Sequence, residues 1–278
     1  MVRGDMIMKR PILTTIFLSL FLCSQAVADD RVLHLNMDEA SGNLTDLSGY
    51  GNNCTPIGSP TYSQTGAPNR GTAIYFPTTA SYFSCGTDSS ILPDVFTAMG
   101  WIKTTKILIS MPMFRFSASG YPILTTYHNT AGALIQLGPS NYQYFSTTVA
   151  NDGNWHHVAF VVTGNGQNDI DNALFFLDGR SITKGTKVKT GSPDIKTALY
   201  IARNTVSMEI TLDDLKIYNY VLSAIQIQHE YQQSRLAISR KHEPWKWADL
   251  LNLAFIMKGD QLYEKNQRIS YLRQHPIN

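Results

Sequence analysis

Oxygen-bearing side chains gather at two places in this 278-residue chain, and their chemistry suits a hard divalent cation. Asp38, Asp46, Asn52 and Asn53 lie near the start; Asp213 and Asp214 lie late in the chain. Calcium takes ~6–8 oxygen ligands from carboxylates, amides, backbone carbonyls and water. Gly42, Gly49 and Gly51 around Asp46 add exposed carbonyls. Such donors favour calcium over zinc, which prefers His and Cys. The same residues have a second use, because Asp and Asn side chains bond nearby backbone and close turns. Both readings stand for Asp46 and the Asn52-Asn53 pair.

His156 and His157 are adjacent, which brings a metal to mind. On a strand, however, neighbours point to opposite faces and do not readily converge on one ion. The expectation here is packing by Trp155 and Val158 rather than ligation. Tyr121, Tyr127, His128, Tyr142, Tyr144 and Phe145 crowd the middle of the chain among Gly, Ser and Asn. Aromatic faces stack on sugar rings, while amides and hydroxyls bond sugar hydroxyls. Strand alternation turns half of these rings inward, and the sequence does not say which half, so no ligand-binding residue is assigned. No Gly-x-Ser-x-Gly elbow or phosphate loop is present, and no catalytic residue is assigned either.

Strands must position these groups. Short segments rich in Val, Ile, Thr, Tyr and Phe alternate with Gly, Pro, Asn and Ser from residue 32 onward. They run at 32–35, 71–76, 82–85, 96–103, 123–127, 133–137, 142–148, 155–163, 173–177, 199–202 and 210–218. In the first, Val32 and His34 should share one face, Leu33 and Leu35 the other. No helices interleave, so the fold class is all-β, with two packed antiparallel sheets as the natural solution. After Tyr218 the pattern turns helical. Ser223 is placed as an N-cap, with Ile225, Ile227 and Tyr231 as contact residues. A second helix over Trp245–Met257 follows Pro244, and a third, polar one over 261–274. Apolar residues encircle the second, which favours burial against protein over a membrane surface.

The first 28 residues read as a secretory signal. Lys9 and Arg10 precede an apolar run to Cys23, and Ala26-Val27-Ala28 supplies small residues for cleavage before Asp29. The run is short of the ~20 residues that span a bilayer, so no membrane span is expected after cleavage. The chain carries 23 basic and 21 acidic residues. Removing Arg3, Lys9 and Arg10 with Asp5 leaves it neutral, with a mildly basic tail at 235–278. Neither part is charged enough for nucleic-acid binding. Export puts Cys54 and Cys85 in an oxidising compartment, where a disulfide competes with two buried thiols. The organisation expected is a signal at 1–28, one domain at 29–234, and a helical tail that docks on the sandwich or a partner.

Several phrases resemble the laminin-G-like and pentraxin-like domains of the concanavalin A-like lectin/glucanase superfamily. They are LNMDEASG at 35–42 with DLSG at 46–49, FTAMGW at 96–101, NWHHVA at 154–159, LDG at 177–179, and LDDLKIYN at 212–219 followed by Leu222-Ser223. Their order covers residues 32 to about 232. The resemblance implies a jelly roll that binds glycans or matrix partners, commonly with calcium, and places the first loop near the last strand. Glucanases of this superfamily carry acids at i, i+2 and i+4 on one strand. Here Glu209, Thr211 and Asp213 approximate that pattern with its middle acid missing. The expected function is therefore an exported, non-catalytic, calcium-supported module recognising carbohydrate or an extracellular or envelope protein. The alternatives are a polysaccharide hydrolase or lyase, and an adhesion subunit. The expected location is secreted, periplasmic or cell-surface.

Overall fold

The computed structural model describes residues 31–236 except 79, 107–110, 118–119, 127–131, 147–150 and 205–208. The leader, the helices at 245–257 and 261–274, Tyr127 and His128 lie outside these residues. The strands are β1 (Arg31–Leu35), β2 (Thr55–Ile57), β3 (Thr61–Thr65), β4 (Thr72–Phe76), β5 (Tyr82–Ser84) and β6 (Val95–Lys103). Next come β7 (Pro112–Arg115), β8 (Ile123–Thr125), β9 (Ala133–Gly138), β10 (Asn141–Phe145) and β11 (Trp155–Thr163). Then follow β12 (Leu174–Leu177), β13 (Arg180–Ser181), β14 (Lys184–Lys189), β15 (Tyr200–Ile201), β16 (Ile210–Tyr218) and the helix α1 (Ala224–Leu236).

They form two antiparallel sheets, the jelly-roll sandwich expected of the sequence. The first has the order β13-β12-β11-β6-β16-β4-β3, with β1 also on β16. The second has the order β14-β10-β9-β8-β7-β15-β5-β2. Between them lies one core, to which β6 contributes Phe96, Ala98 and Ile102 and β11 contributes Val158, Phe160 and Val162. The alternate residues of these strands, Met99, Ala159 and Val161, enter a smaller core on the outer side, closed by Ile227 of α1. Burial on both faces explains why β6 and β11 read as nearly unbroken apolar runs.

Several strands escape the sequence pattern for definable reasons. β2, β3 and β14 are polar edge strands, and prolines further disguise β2 at Pro56 and β7 at Pro112. In β1, Val32, Leu33 and Leu35 all enter the core, because the register slips between Arg31 and Leu33. That corrects the simple alternation read there. Ser223 and Gln226 cap α1 reciprocally: Gln226 N donates to Ser223 Oγ, and Ser223 N donates to Gln226 Oε1. Ile227 is fully buried, whereas Ile225 is exposed and makes no core contact.

Cys54 and Cys85 are joined in a disulfide. They sit just beyond the β2–β5 ladder, where Thr55 faces Ser84. Cross-strand neighbours at the end of a ladder are already close, so the bridge ties the N-terminal loop to the second sheet.

Candidate functional site

One edge of β16 is shared by two strands. β4 pairs with Ile210–Leu212, and β1 pairs with Leu215–Tyr218. Asp213 and Asp214 fall in the gap between them, at a bulge where Asp214 takes a φ of 46°. The chain leaving β1 and the 66–71 loop entering β4 both meet this gap.

Asp213 is fully buried. Its Oδ2 accepts from Ala67 N at 2.8 Å, while Oδ1 has no hydrogen-bond partner. Burial pushes its carboxyl up to about 8, and the Asp214 and Asp38 charges add to the shift. A methyl group on Gly66 would lie 2.7 Å from the carbonyl oxygens of Arg70 and Gly71, and 3.0 Å from Asp213 Oδ2. Three oxygens thus converge where only a glycine fits. Asp38 presses on Gly71 in the same way and accepts from Thr72 N at 2.6 Å. Among the described residues no three His, Cys, Asp or Glu side chains are grouped to hold a metal. An ion here would rest on two carboxylates plus carbonyls. The carboxylate oxygen that meets the Arg70 and Gly71 carbonyls at Gly66 is Oδ2, and with Oδ1 unmatched on the same carboxyl these oxygens are of the kind calcium takes.

The other sequence candidates do not join them. Both oxygens of Asp46 are occupied: Oδ1 accepts from His34 N and Ser48 N, and Oδ2 from Ser48 Oγ and Asn52 N. Asn53 Oδ1 accepts from Asp46 N, and Asn52 Nδ2 donates to the Val32 carbonyl. These three residues organise the loop that follows β1. Asp214 is held by an imidazole and two cations instead. His34 Nε2 is 2.9 Å away, Arg70 Nη1 2.6 Å and Lys216 Nζ 3.2 Å.

Lys216 continues this network to Glu230 on α1 at 2.8 Å. His157 lies beside it, its ring against Trp101 and Tyr231. Its neighbour His156 faces the other way, with Nδ1 2.9 Å from Asp178 and Nε2 3.1 Å from Asp152. The adjacent histidines therefore diverge, as strand geometry demands. Burial, with the Lys216 charge, lowers His157 to about 4. It is neutral in the fold but charges in the unfolded chain below its ordinary value of ~6.5. Stability from this group is present above that pH and lost as pH falls through about 4. Unfolding free energies from urea titrations of wild type and His157→Gln at pH 7 and pH 4.5 should fall by different amounts, the wild type losing up to ~3 kcal/mol more in acid. Parallel losses in the two proteins would refute this assignment.

The outer face of the second sheet is different in kind. Register pairs Tyr142 with Gln136, Gln136 with Ile123, Ile123 with Arg115, Arg115 with Tyr200, and Tyr200 with Ser84. Directly opposed residues share a face, so they form one row across neighbouring strands. Tyr144 lies beside Tyr142, ring centroids 5.4 Å apart, and Tyr82 lies beside Tyr200 at 5.9 Å. Arg203 stacks over Tyr200 and Tyr82 at 4.2 and 5.2 Å. Strands spaced ~4.8 Å apart put Tyr142 and Tyr200 ~19 Å apart, room for several sugar rings. Of the aromatics singled out in the sequence, Tyr121, Tyr142 and Tyr144 are half-buried, whereas Phe145 is in the core against Phe175. Sequence reasoning missed Tyr82, Tyr200, Arg115 and Arg203. A signal existed for Arg115, a charge set between Phe114 and Phe116 in an otherwise apolar strand.

Glu209 and Asp213 engage different partners. Glu209 precedes β16 with a φ of 47°, is half-buried, and pairs with Lys106 at 2.9 Å. Asp213 is buried against the 66–71 loop.

Comparison with known proteins agrees with this architecture. A family model of the laminin G type, described as concanavalin A-like lectin/glucanases superfamily, matches residues 77–228. No curated protein sequence matches the chain. The fold is similar to the binding domain of Paraclostridial Mosquitocidal Protein 1, with a TM-score of 0.57 and 14% identity over 74% of this chain. It is also similar to domain 4 of AbnA, an extracellular arabinanase from Geobacillus stearothermophilus, in complex with arabinotriose. There the TM-score is 0.57 with 17% identity, over 73% of this chain and 98% of that one. Trypanosoma rangeli sialidase aligns with a TM-score of 0.52 and 12% identity over 72% of this chain. The chain spans 53% of the mosquitocidal binding domain and 32% of the sialidase.

Proposed function

This chain belongs to the concanavalin A-like lectin/glucanases superfamily, and we propose that it is an exported, non-catalytic binding module that takes a saccharide chain across the outer face of its second sheet. The observation that carries the reading is the row from Tyr142 to Tyr200, in which half-buried Tyr142, Gln136, Arg115 and Tyr200 flank a buried Ile123, on a face with no described helix over it. Rings of this kind stack on sugars, and Gln136 and Arg115 between them offer donors to hydroxyls. Two of the similar structures are the binding domain of a mosquitocidal protein and an arabinanase domain in complex with arabinotriose. Export is supported by the leader-like residues 1–28 and by the Cys54–Cys85 disulfide, which fits an oxidising compartment. Among the described residues, no helix is long and apolar enough to cross a membrane.

Calcium belongs to this proposal as a structural support. Asp38, Asp213 and the carbonyls of Arg70 and Gly71 would hold the ion, which would neutralise the buried carboxylate and lock the 66–71 loop. Hydrolysis needs an acid and a nucleophile or base on one substrate bond. Glu209 bound to Lys106 and Asp213 bound to Ala67 do not form such a pair.

A glycan array followed by titration calorimetry tests the reading. Tyr142→Ala and Tyr144→Ala should each weaken saccharide binding by about tenfold, equivalent to ~1.4 kcal/mol. No new reducing ends or unsaturated products should form. Unchanged binding in both variants would remove the proposed face. Turnover lost in Glu209→Gln would make the chain an enzyme, and capture of an extracellular protein with no saccharide bound would make it a protein-recognition module.

A further inference from the structure

The arginines on this face carry the reading further than a neutral sugar requires. We infer that the saccharide bound here is acidic, its carboxylate or sulfate groups held by Arg115 and Arg203 at the Tyr82–Tyr200 end of the row. The inference rests on the saccharide reading of the same face and specifies its ligand class.

Arg115 stands opposite Tyr200 in the ladder, and Arg203 follows the same strand two residues beyond it. Burial and the neighbouring Arg203 charge push the Arg115 guanidinium below its ordinary value, so two like charges lie close enough to feel one another. Buried or half-buried arginines ordinarily find a carboxylate. Here Arg115 Nε donates to the Gly120 carbonyl at 3.2 Å, and Arg203 rests on two tyrosine rings. Neither arginine has a salt bridge among the described residues. The internal segments not described, 79, 107–110, 118–119, 127–131, 147–150 and 205–208, contain no Asp or Glu.

The contrast with the rest of the molecule makes this informative. Arg70 and Lys216 pair with Asp214, Lys106 with Glu209, Lys187 and Lys189 with Asp171, and Lys196 with Asp94. Among the described residues the other cations without a carboxylate partner, Lys103, Arg180 and Lys184, are exposed, whereas these two guanidiniums are half-buried among tyrosines. A guanidinium stacked on a ring still directs its N–H fork outward in its own plane, and that fork fits a carboxylate or sulfate. The anion would relieve the repulsion between the arginines, while Tyr200 and Tyr82 supply flat apolar surface for the ring that carries it.

The decisive probe is oligogalacturonate of defined length beside its carboxyl-reduced counterpart, which keeps the sugar rings and removes the charge. Chondroitin sulfate fragments form a second arm, distinguishing sulfate from carboxylate as the preferred group. Polyglutamate tests whether charge alone suffices. Wild type should bind at least one acidic oligosaccharide ten or more times more tightly than a charge-free analogue. Binding should weaken several-fold as salt rises from about 20 to about 500 mM. Arg115→Gln and Arg203→Gln should each lose most of that preference and keep residual affinity for the neutral oligomer. Arg115→Lys, which keeps charge and bulk, should retain part of the preference even if the glutamine variant folds poorly. Equal binding of native and carboxyl-reduced oligomers, with no sulfate preference, would overturn the inference and leave the saccharide reading intact. Polyglutamate binding as tight as the acidic sugar would overturn it too. Failure of every saccharide, acidic or neutral, would bring down both.

Discussion

Replacing Asp214 with alanine should destabilise the fold by ~3–5 kcal/mol, the range for removing one partner from a buried ionic group. The carboxylate is 4% exposed and receives His34 Nε2, Arg70 Nη1 and Lys216 Nζ. Burial alone would raise its pKa. The His34 hydrogen bond and the Lys216 and Arg70 charges outweigh that and hold it below the usual carboxylate range. Its stabilisation is thus present above the unfolded value of ~3.9 and lost only in acid. Alanine leaves Arg70 without its carboxylate and Lys216, itself 6% exposed, dependent on Glu230 alone. Glu230→Gln should cost less, since that carboxylate is 23% exposed and water can replace it. Urea unfolding at pH 7 measures both. A loss below ~1 kcal/mol for Asp214→Ala would mean that the network behaves as a surface ion pair.

This network also marks where sequence and structure part. The phrase LDDLKIY at 212–218 identified the last strand, and β16 occupies nearly those residues. It did not separate its two aspartates. The bulge at Asp213–Asp214 does so, by turning one carboxylate to the 66–71 loop and the other to Arg70 and Lys216. Such a divergence depends on which strand ends where on the far edge of β16, a long-range fact with no local signature. Asp46 teaches the converse. Its turn-forming use is local, carried by Ser48, Asn52 and Asn53 within seven residues, and short-range hydrogen bonding of this kind is readable from sequence. The outer face of the second sheet was half legible. Tyr142 and Tyr144 announce themselves by alternation, whereas Arg115 and Tyr200 become neighbours only when β7 and β15 pair across 84 intervening residues.

Calcium should raise the melting temperature by about 5–10 °C relative to chelator when supplied ~100-fold above its dissociation constant, an increment of ~3 kcal/mol. The argument starts from Asp213 Oδ1, a buried oxygen with no hydrogen bond. Leaving such a group unmatched is costly, and two remedies exist: a proton, or a cation. Nearby oxygens from Arg70, Gly71 and Asp38 favour the cation, since each is an acceptor that a proton on Asp213 cannot satisfy in common. The ion would also bridge the chain after β1 to the loop before β4, two segments that share the β16 edge without pairing to each other there. Asp213→Asn and Asp38→Asn should each erase most of the difference between calcium and chelator. Asp46→Ala should lower the melting temperature in both conditions and leave the difference in place, because its carboxylate serves four hydrogen bonds of the loop. Coincident melting curves with calcium and with chelator, at matched ionic strength, would eliminate the ion. A difference that survived Asp213→Asn and vanished in Asp46→Ala would move the ion to the loop after β1.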